Sequence, residues 1–295
     1  MKLYKFRSLN NYITLLFLTG MACITIVDEK QMVVKSGNYE YSLSDPDVIY
    51  KLPVRLEEIS GLDYLGDRIL LCVEDEEGIL YFYNTREKKV TREIKFAKSG
   101  DYEGVTHIDN MAYVVKSNGN LYTFPIDLDD EVEAIKIETA FTSSNNVEGL
   151  CPGHKKKEIY LACKENAEVD NNSIKGRAVY AFDLKKGKLI DPPYIHLTSE
   201  VFNEALKQKG LKPSQYMPFK PSGIALHPIT GDVFIIGSVG KLLIVLDQSG
   251  KIKSVAPLSR KLFVQPEGIC FDEQGVLFIS SEGRGNDGYI LEFNP

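Results

Sequence analysis

The stretch QPEGICFDEQGVLFISSEG, Gln265 to Gly283, sets a glutamate beside a glycine ahead of an apolar run, then a polar turn, then a second β-forming run. That order reads as two antiparallel strands joined by a short turn. Four near-copies precede it: EEISGLDYLGDRILLCVED, DYEGVTHIDNMAYVVKSNG, NVEGLCPGHKKKEIYLACKEN and KPSGIALHPITGDVFIIGSVG. Their shared glycines are Gly61, Gly104, Gly149, Gly223 and Gly268, spaced by 43, 45, 74 and 45 residues. Four-stranded units of roughly 40 to 50 residues are what such a period describes.

Each copy continues into further strand-like runs: GILYFYNT and VTREIKFA, GNLYTFPID and EAIKIETAF, RAVYAFDL and YIHL, KLLIVLDQ and KIKSVAPL. The fifth unit stops one strand short, at GYILEF. Upstream of the first unit, DVIYKLPV resembles the missing outer strand, and pairing it with the last unit would close the ring and remove exposed edges. The chain is therefore read as all-β, a five-bladed β-propeller whose N-terminal strand closes the last blade. A sixth blade hidden in the long third spacing is the alternative. That spacing also holds TSEVFNEALKQKGLKPSQYMP, whose Thr198 or Ser199 cap and closing Gly210 predict a helical insertion near 198–217. It would cover a blade edge or serve as a docking element.

The first 23 residues combine a basic start (Lys2, Lys5, Arg7), an apolar stretch too short to span a bilayer comfortably, and TGMAC ending at Cys23. This pattern resembles a bacterial lipoprotein signal, with Cys23 as the lipid anchor and a plain secretory signal or an uncleaved anchor as the alternatives. Residues 24–45 are read as a polar tether and 46–295 as the propeller. The expected setting is the cell envelope, with the chain anchored to a membrane and facing the periplasm or exterior as a monomer. Losing three basic residues with the signal would take the net charge from -6 to -9. Such a balance disfavours nucleic acid. Cys72, Cys151, Cys163 and Cys270 sit in apolar runs, at no metal-ligand spacing, and read as small core residues. A disulfide between Cys151 and Cys163 is the exception to test in an oxidising compartment.

Propeller geometry gathers the start of each innermost strand and the end of the second strand at one mouth. The first set is Glu58 or Ser60, Glu103, Glu148, Ser222 and Glu267; the second is Glu74 with Asp75, Lys116, Lys164 with Glu165, Ser238, and Ser281 with Glu282. So many carboxylates at close quarters need compensation. Lys116 and Lys164, protonation, or a hard cation such as calcium held by Glu103, Glu148 and Glu267 would supply it. A purely architectural use of each glutamate, locking blades together, competes with the binding reading.

The signal segment and the motifs EISGLDY, DYEGV, VEGL, PSGIALHP and QPEGICFDEQGVLFISSEG together resemble the SdiA-regulated, YjiK-type β-propellers, which include calcium-regulated β-propeller proteins. The resemblance covers about residues 48–295 and implies a cell-envelope propeller with calcium involvement and a distant likeness to phytase-type propellers. Glu103, Glu148 and Glu267 match the family's repeated Glu-Gly positions. The glycine-rich SSEGRGNDGYILEF departs from the family's more direct run into the last strand, which leaves Glu282 outside what the resemblance carries over.

Three functions are consistent with these residues. The first is a non-catalytic module binding a small ligand, a protein partner or a divalent cation at the mouth. The second is a calcium-dependent, phytase-like phosphoesterase, with carboxylates holding metal and Lys116 and Lys164 holding phosphate. Against it, no histidine reads as a mouth residue and no nucleophile–base motif occurs. The third is a scaffold that docks a partner through the inserted helix.

Overall fold

The computed structural model describes residues 32–128, 130–170, 172 and 174–295. The signal segment and Cys23 lie outside these residues. Within them the chain forms five four-stranded antiparallel sheets and one two-stranded hairpin. The hairpin pairs β1 (Val33–Ser36) with β2 (Tyr39–Ser42), and β3 is Val48–Lys51. Blade 1 is β4 (Ile59–Gly66), β5 (Ile69–Glu74), β6 (Ile79–Asn84) and β7 (Lys89–Lys95). Blade 2 is β8 (Tyr102–Ile108), β9 (Met111–Lys116), β10 (Leu121–Pro125) and β11 (Ile135–Ile137). Blade 3 is β12 (Val147–Pro152), β13 (Glu158–Cys163), β14 (Arg177–Asp183) and β15 (Lys188–Leu197). Blade 4 is β16 (Gly223–Leu226), β17 (Val233–Gly237), β18 (Leu242–Leu246) and β19 (Ile252–Pro257). Blade 5 is β20 (Gln265–Phe271), β21 (Leu277–Glu282) and β22 (Tyr289–Phe293), completed by β3.

The propeller is thus five-bladed, and the long third spacing holds no sixth blade. Its closure is made in register, Ile290 against Tyr50 and Leu291 against Ile49, and Tyr50 donates to Glu292 Oε2 at 2.6 Å. The middle strands of each sheet are buried on both faces, as in β18, LLIVL, because neighbouring blades cover them. The spacing is taken up instead by α1 (Ser199–Gln208), N-capped by Thr198, which accepts from Val201 N. Phe202 and Leu206 of α1 enter the core between blades 3 and 4, and Phe202 stacks on Phe219 with ring centres 4.7 Å apart. No helix among the described residues is long and apolar enough to cross a membrane.

One expectation is corrected and one is met. From Met32 onward the stretch read as a tether is folded: Val34, Tyr41 and Leu43 are fully buried against Phe234 and Phe271 of blades 4 and 5. The alternation of apolar and polar residues in VVKS and YEYS is the cause, since one face of the hairpin has a core to cover. Cys151 and Cys163, the pair weighed for a disulfide, are free and buried, like Cys72 and Cys270.

Candidate functional site at the propeller mouth

In four blades the ladder between the first two strands slips by one residue, and the extra residue is the one named by the repeat. Ser60 lies between the pairs Ile59↔Glu74 and Gly61↔Val73, Glu103 between Tyr102↔Lys116 and Gly104↔Val115, and Glu148 between Val147↔Cys163 and Gly149↔Ala162. Glu267 and Gly268 oppose Ser280 alone in the same way. A bulge leaves one residue out of the ladder and re-aims its side chain, here into the centre of the ring. In blade 4 Ser222 takes this place just ahead of β16.

The glycine beside each of these residues has a separate cause. A Cβ on Gly104 would stand 2.8 Å from Glu148 O, and one on Gly223 would stand 2.3 Å from Glu267 O. One on Gly268 would stand 3.0 Å from Leu62 N. Neighbouring inner strands approach too closely for any side chain there. The enclosed space left along the axis is about 10 Å³, room for roughly one water. Nothing larger than a water fits inside this channel.

Ser60 and Ser222 are fasteners. Ser60 Oγ donates to Tyr102 O at 2.7 Å and Ser222 Oγ to Pro266 O at 2.7 Å, each reaching the next blade at the equivalent carbonyl. Ser238, placed at the mouth by its strand end, spends its backbone N–H on Ser222 Oγ at 3.1 Å. The glutamates are different. Burial pushes the carboxyls of Glu103, Glu148 and Glu267 above their ordinary range; Glu148 and Glu267 push Glu103 further, and Glu148 does so for Glu267. Lys164 pulls all three down and is itself raised, because Glu148 and Glu267 outweigh the lowering effect of its burial. Its Nζ meets Glu148 Oε1 at 2.6 Å, and Asn146 donates to the same oxygen at 2.9 Å. Glu148 Oε2 is buried with no partner. Lys116, a candidate with Lys164 for compensating the mouth, has its Nζ over the Tyr102 ring, 5.2 Å from its centre.

Carboxylates also crowd the rim beside blade 1. Glu74 accepts from the backbone of Glu76 at 3.0 Å and from Glu77 N, yet burial holds its pKa up at about 7. Burial and then Glu58 raise Asp75 to about 6, with Glu76 and Asp101 adding to the shift, and Asp75 Oδ1 has no partner. Burial and then Asp75 raise Glu282 to about 7. Glu58, two residues ahead of the bulge, is exposed beside them. Asp101 joins the group although the repeat does not mark it. Its only signal was its place two residues before Glu103. Among the described residues no three His, Cys, Asp or Glu side chains are placed around one point as metal ligands, Glu103, Glu148 and Glu267 included.

The histidines are engaged elsewhere. His107 Nδ1 is 2.8 Å from Asp63 Oδ2, His154 Nδ1 is 2.8 Å from Tyr160 OH, and His196 Nε2 is 2.6 Å from Lys175 O. His227 Nδ1 accepts from the backbone of Ile229 and Thr230, which leaves its proton on Nε2, 2.9 Å from Tyr41 OH.

The architecture is shared with distant solved structures. Glutaminyl cyclase from Myxococcus xanthus is similar over 85% of this chain and 95% of its own, at 12% identity with a TM-score of 0.57. A Bacteroides thetaiotaomicron protein of unknown function is similar over 85% and 74%, at 13% identity and 0.51. Likeness at this identity speaks for the fold alone. No curated protein matches the sequence. The model of the SdiA-regulated family matches residues 38–286, most of the chain, in line with the Glu-Gly repeat and the five-bladed ring. The chain belongs to the SdiA-regulated family.

Proposed function

We propose that this protein is a non-catalytic binding module of the cell envelope whose mouth takes a cationic group. The observation that carries the reading is an excess of carboxylates with too few partners. Glu58, Asp75, Asp101 and Glu282 act on one another at the rim, while Glu148 Oε2 and Asp75 Oδ1 are buried without a hydrogen bond. Desolvated carboxylates that repel each other bind a cation with release of that repulsion. An oxygen-only donor set suits calcium among hard cations. The exposed side chains of Glu58 and Asp101 would have to turn inward to complete its coordination, since no three donors surround one point. The mouth serines support binding over catalysis: Ser60 and Ser222 donate to backbone carbonyls, and neither touches a histidine.

Lipidation at Cys23 fits the same reading. Eight residues separate Cys23 from Met32, so an anchor there would hold the propeller within roughly 30 Å of a membrane surface.

Calorimetry and thermal melts with calcium chloride and with spermidine test the proposal. Heat of binding and a raised Tm with either cation, both lost in an Asp75→Asn/Glu282→Gln double variant, are expected. No heat and no change in Tm with both cations would overturn it.

A further inference from the structure

On the face that carries the acidic rim lies a second cavity, of about 490 Å³, lined by Tyr216, Lys241, Leu258 and Arg260 among others. Its position is fixed by chain direction: Lys241 follows the mouth end of β17, and Leu258 and Arg260 follow the mouth end of β19. Both segments that interrupt the repeat contribute to its surroundings. The helical insertion supplies Tyr216, and the glycine-rich loop after β21 brings the positive charge of Arg284 to bear on Lys241.

Lys241 is an unusual lysine. It is 9% exposed and takes φ +50°, a left-handed conformation that side chains rarely adopt. Its Nζ donates to Val264 O at 2.7 Å, one partner among the described residues for three N–H groups. Neither it nor Arg260 is in an ion pair among the described residues. Burial lowers its pKa to about 8; Arg284 and Arg260 add to this, and Glu267 and Glu282 oppose it. Arg260 also lies near enough to Tyr216 to lower its phenol against the effect of burial. With no carboxylate of the described residues in contact, hiding an ammonium near two guanidiniums costs stability unless something negative occupies the space.

We infer that this cavity binds a small organic anion, its carboxylate or phosphate held between Lys241 and Arg260 and its carbon body against Tyr216 and Leu258. Arginine offers a planar fork to such a group and lysine a compact point charge. The apolar neighbours favour an anion with a carbon frame over a bare inorganic ion. The site adjoins the acidic rim, whose Glu282 acts on Lys241, but is of opposite sign, so the two would be filled by different ligands or by the two ends of one zwitterion.

Calorimetric titration of the full-length chain with phenyl phosphate, a probe carrying both features, decides the matter. Saturable binding is expected, weakened roughly tenfold or more in Arg260→Ala, an exposed position whose loss leaves the core intact, and in Lys241→Met. Affinity should also fall as pH rises through about 8, where Lys241 loses its proton. Asp75→Asn should leave it unchanged, which separates this site from the cation reading. No binding in the millimolar range, equal affinity in Arg260→Ala, or loss of binding in Asp75→Asn would each overturn the assignment.

Discussion

At the scale of single residues, the repeated pair divides its labour. The polar member is the bulged residue whose side chain reaches the axis, and the glycine is the point where one inner strand leans on the next. A methyl group on Gly223 would lie 2.3 Å from Glu267 O, a backbone atom of the adjoining blade that cannot swing aside. Gly223→Ala should therefore destabilise the chain by about 3 kcal/mol or more, at the upper end of overpacking costs. Gly187, in a surface turn at φ +64° with nothing within 4 Å, is the control. Gly187→Ala should lose only about 1 kcal/mol, the cost of left-handed backbone for a residue with a Cβ. Urea denaturation of the two variants measures the difference, and equal losses would refute the close-approach account.

At the scale of elements, strands, blade count, helical insertion and closing strand were legible because each is a local pattern repeated or broken at a fixed period. Which residue is bulged was not, since a bulge is a fact of pairing between two strands and leaves no mark in either alone. The fate of Lys116 was hidden for a similar reason: the repeat placed it at the mouth, but only the packing of Tyr102 decides that it lies over a ring. The hairpin β1–β2 was the largest misreading. VVKSGNYEYS alternates with period two across a Gly37 turn at φ +59°, yet its short strands gave no sign of what they would cover. Tyr41 tests its role. It is fully buried, donates to Gly275 O at 2.6 Å and meets His227. Tyr41→Ala should cost about 3 kcal/mol or more by emptying a core position, and Tyr41→Phe about 1 to 2 by orphaning the Gly275 carbonyl. A tether would be indifferent to both substitutions in a denaturant melt.

At the scale of the whole molecule, the ring trades stability for the charge it assembles. Five blades converge on one axis, so side chains from different blades meet whether or not their charges agree. Glu74 and Glu282 are held at about 7 against an ordinary 4.5, and Asp75 at about 6 against 3.8. Glu103, Glu148 and Glu267 are shifted in the same direction. A carboxyl raised on folding binds its proton more tightly in the native state. Its contribution is full below the unfolded value and lost as pH rises through the folded one. His227 opposes them, because burial lowers it from 6.5 to about 4 and its contribution disappears as pH falls through that window. It is one group against six. Lys241 is lowered from 10.5 to about 8, so it adds stability only as pH climbs between those values. The balance predicts a Tm several degrees higher at about pH 5.5 than at about pH 8, the reverse of ordinary acid denaturation. Glu74→Gln and Asp75→Asn together should flatten that rise. Saturating calcium chloride should also shrink it, by stabilising the ionised rim at the higher pH. A Tm that falls steadily from about pH 8 to about pH 5.5 would mean that the mouth carboxyls are already compensated in the folded chain, and the case for a cationic ligand would fall with it.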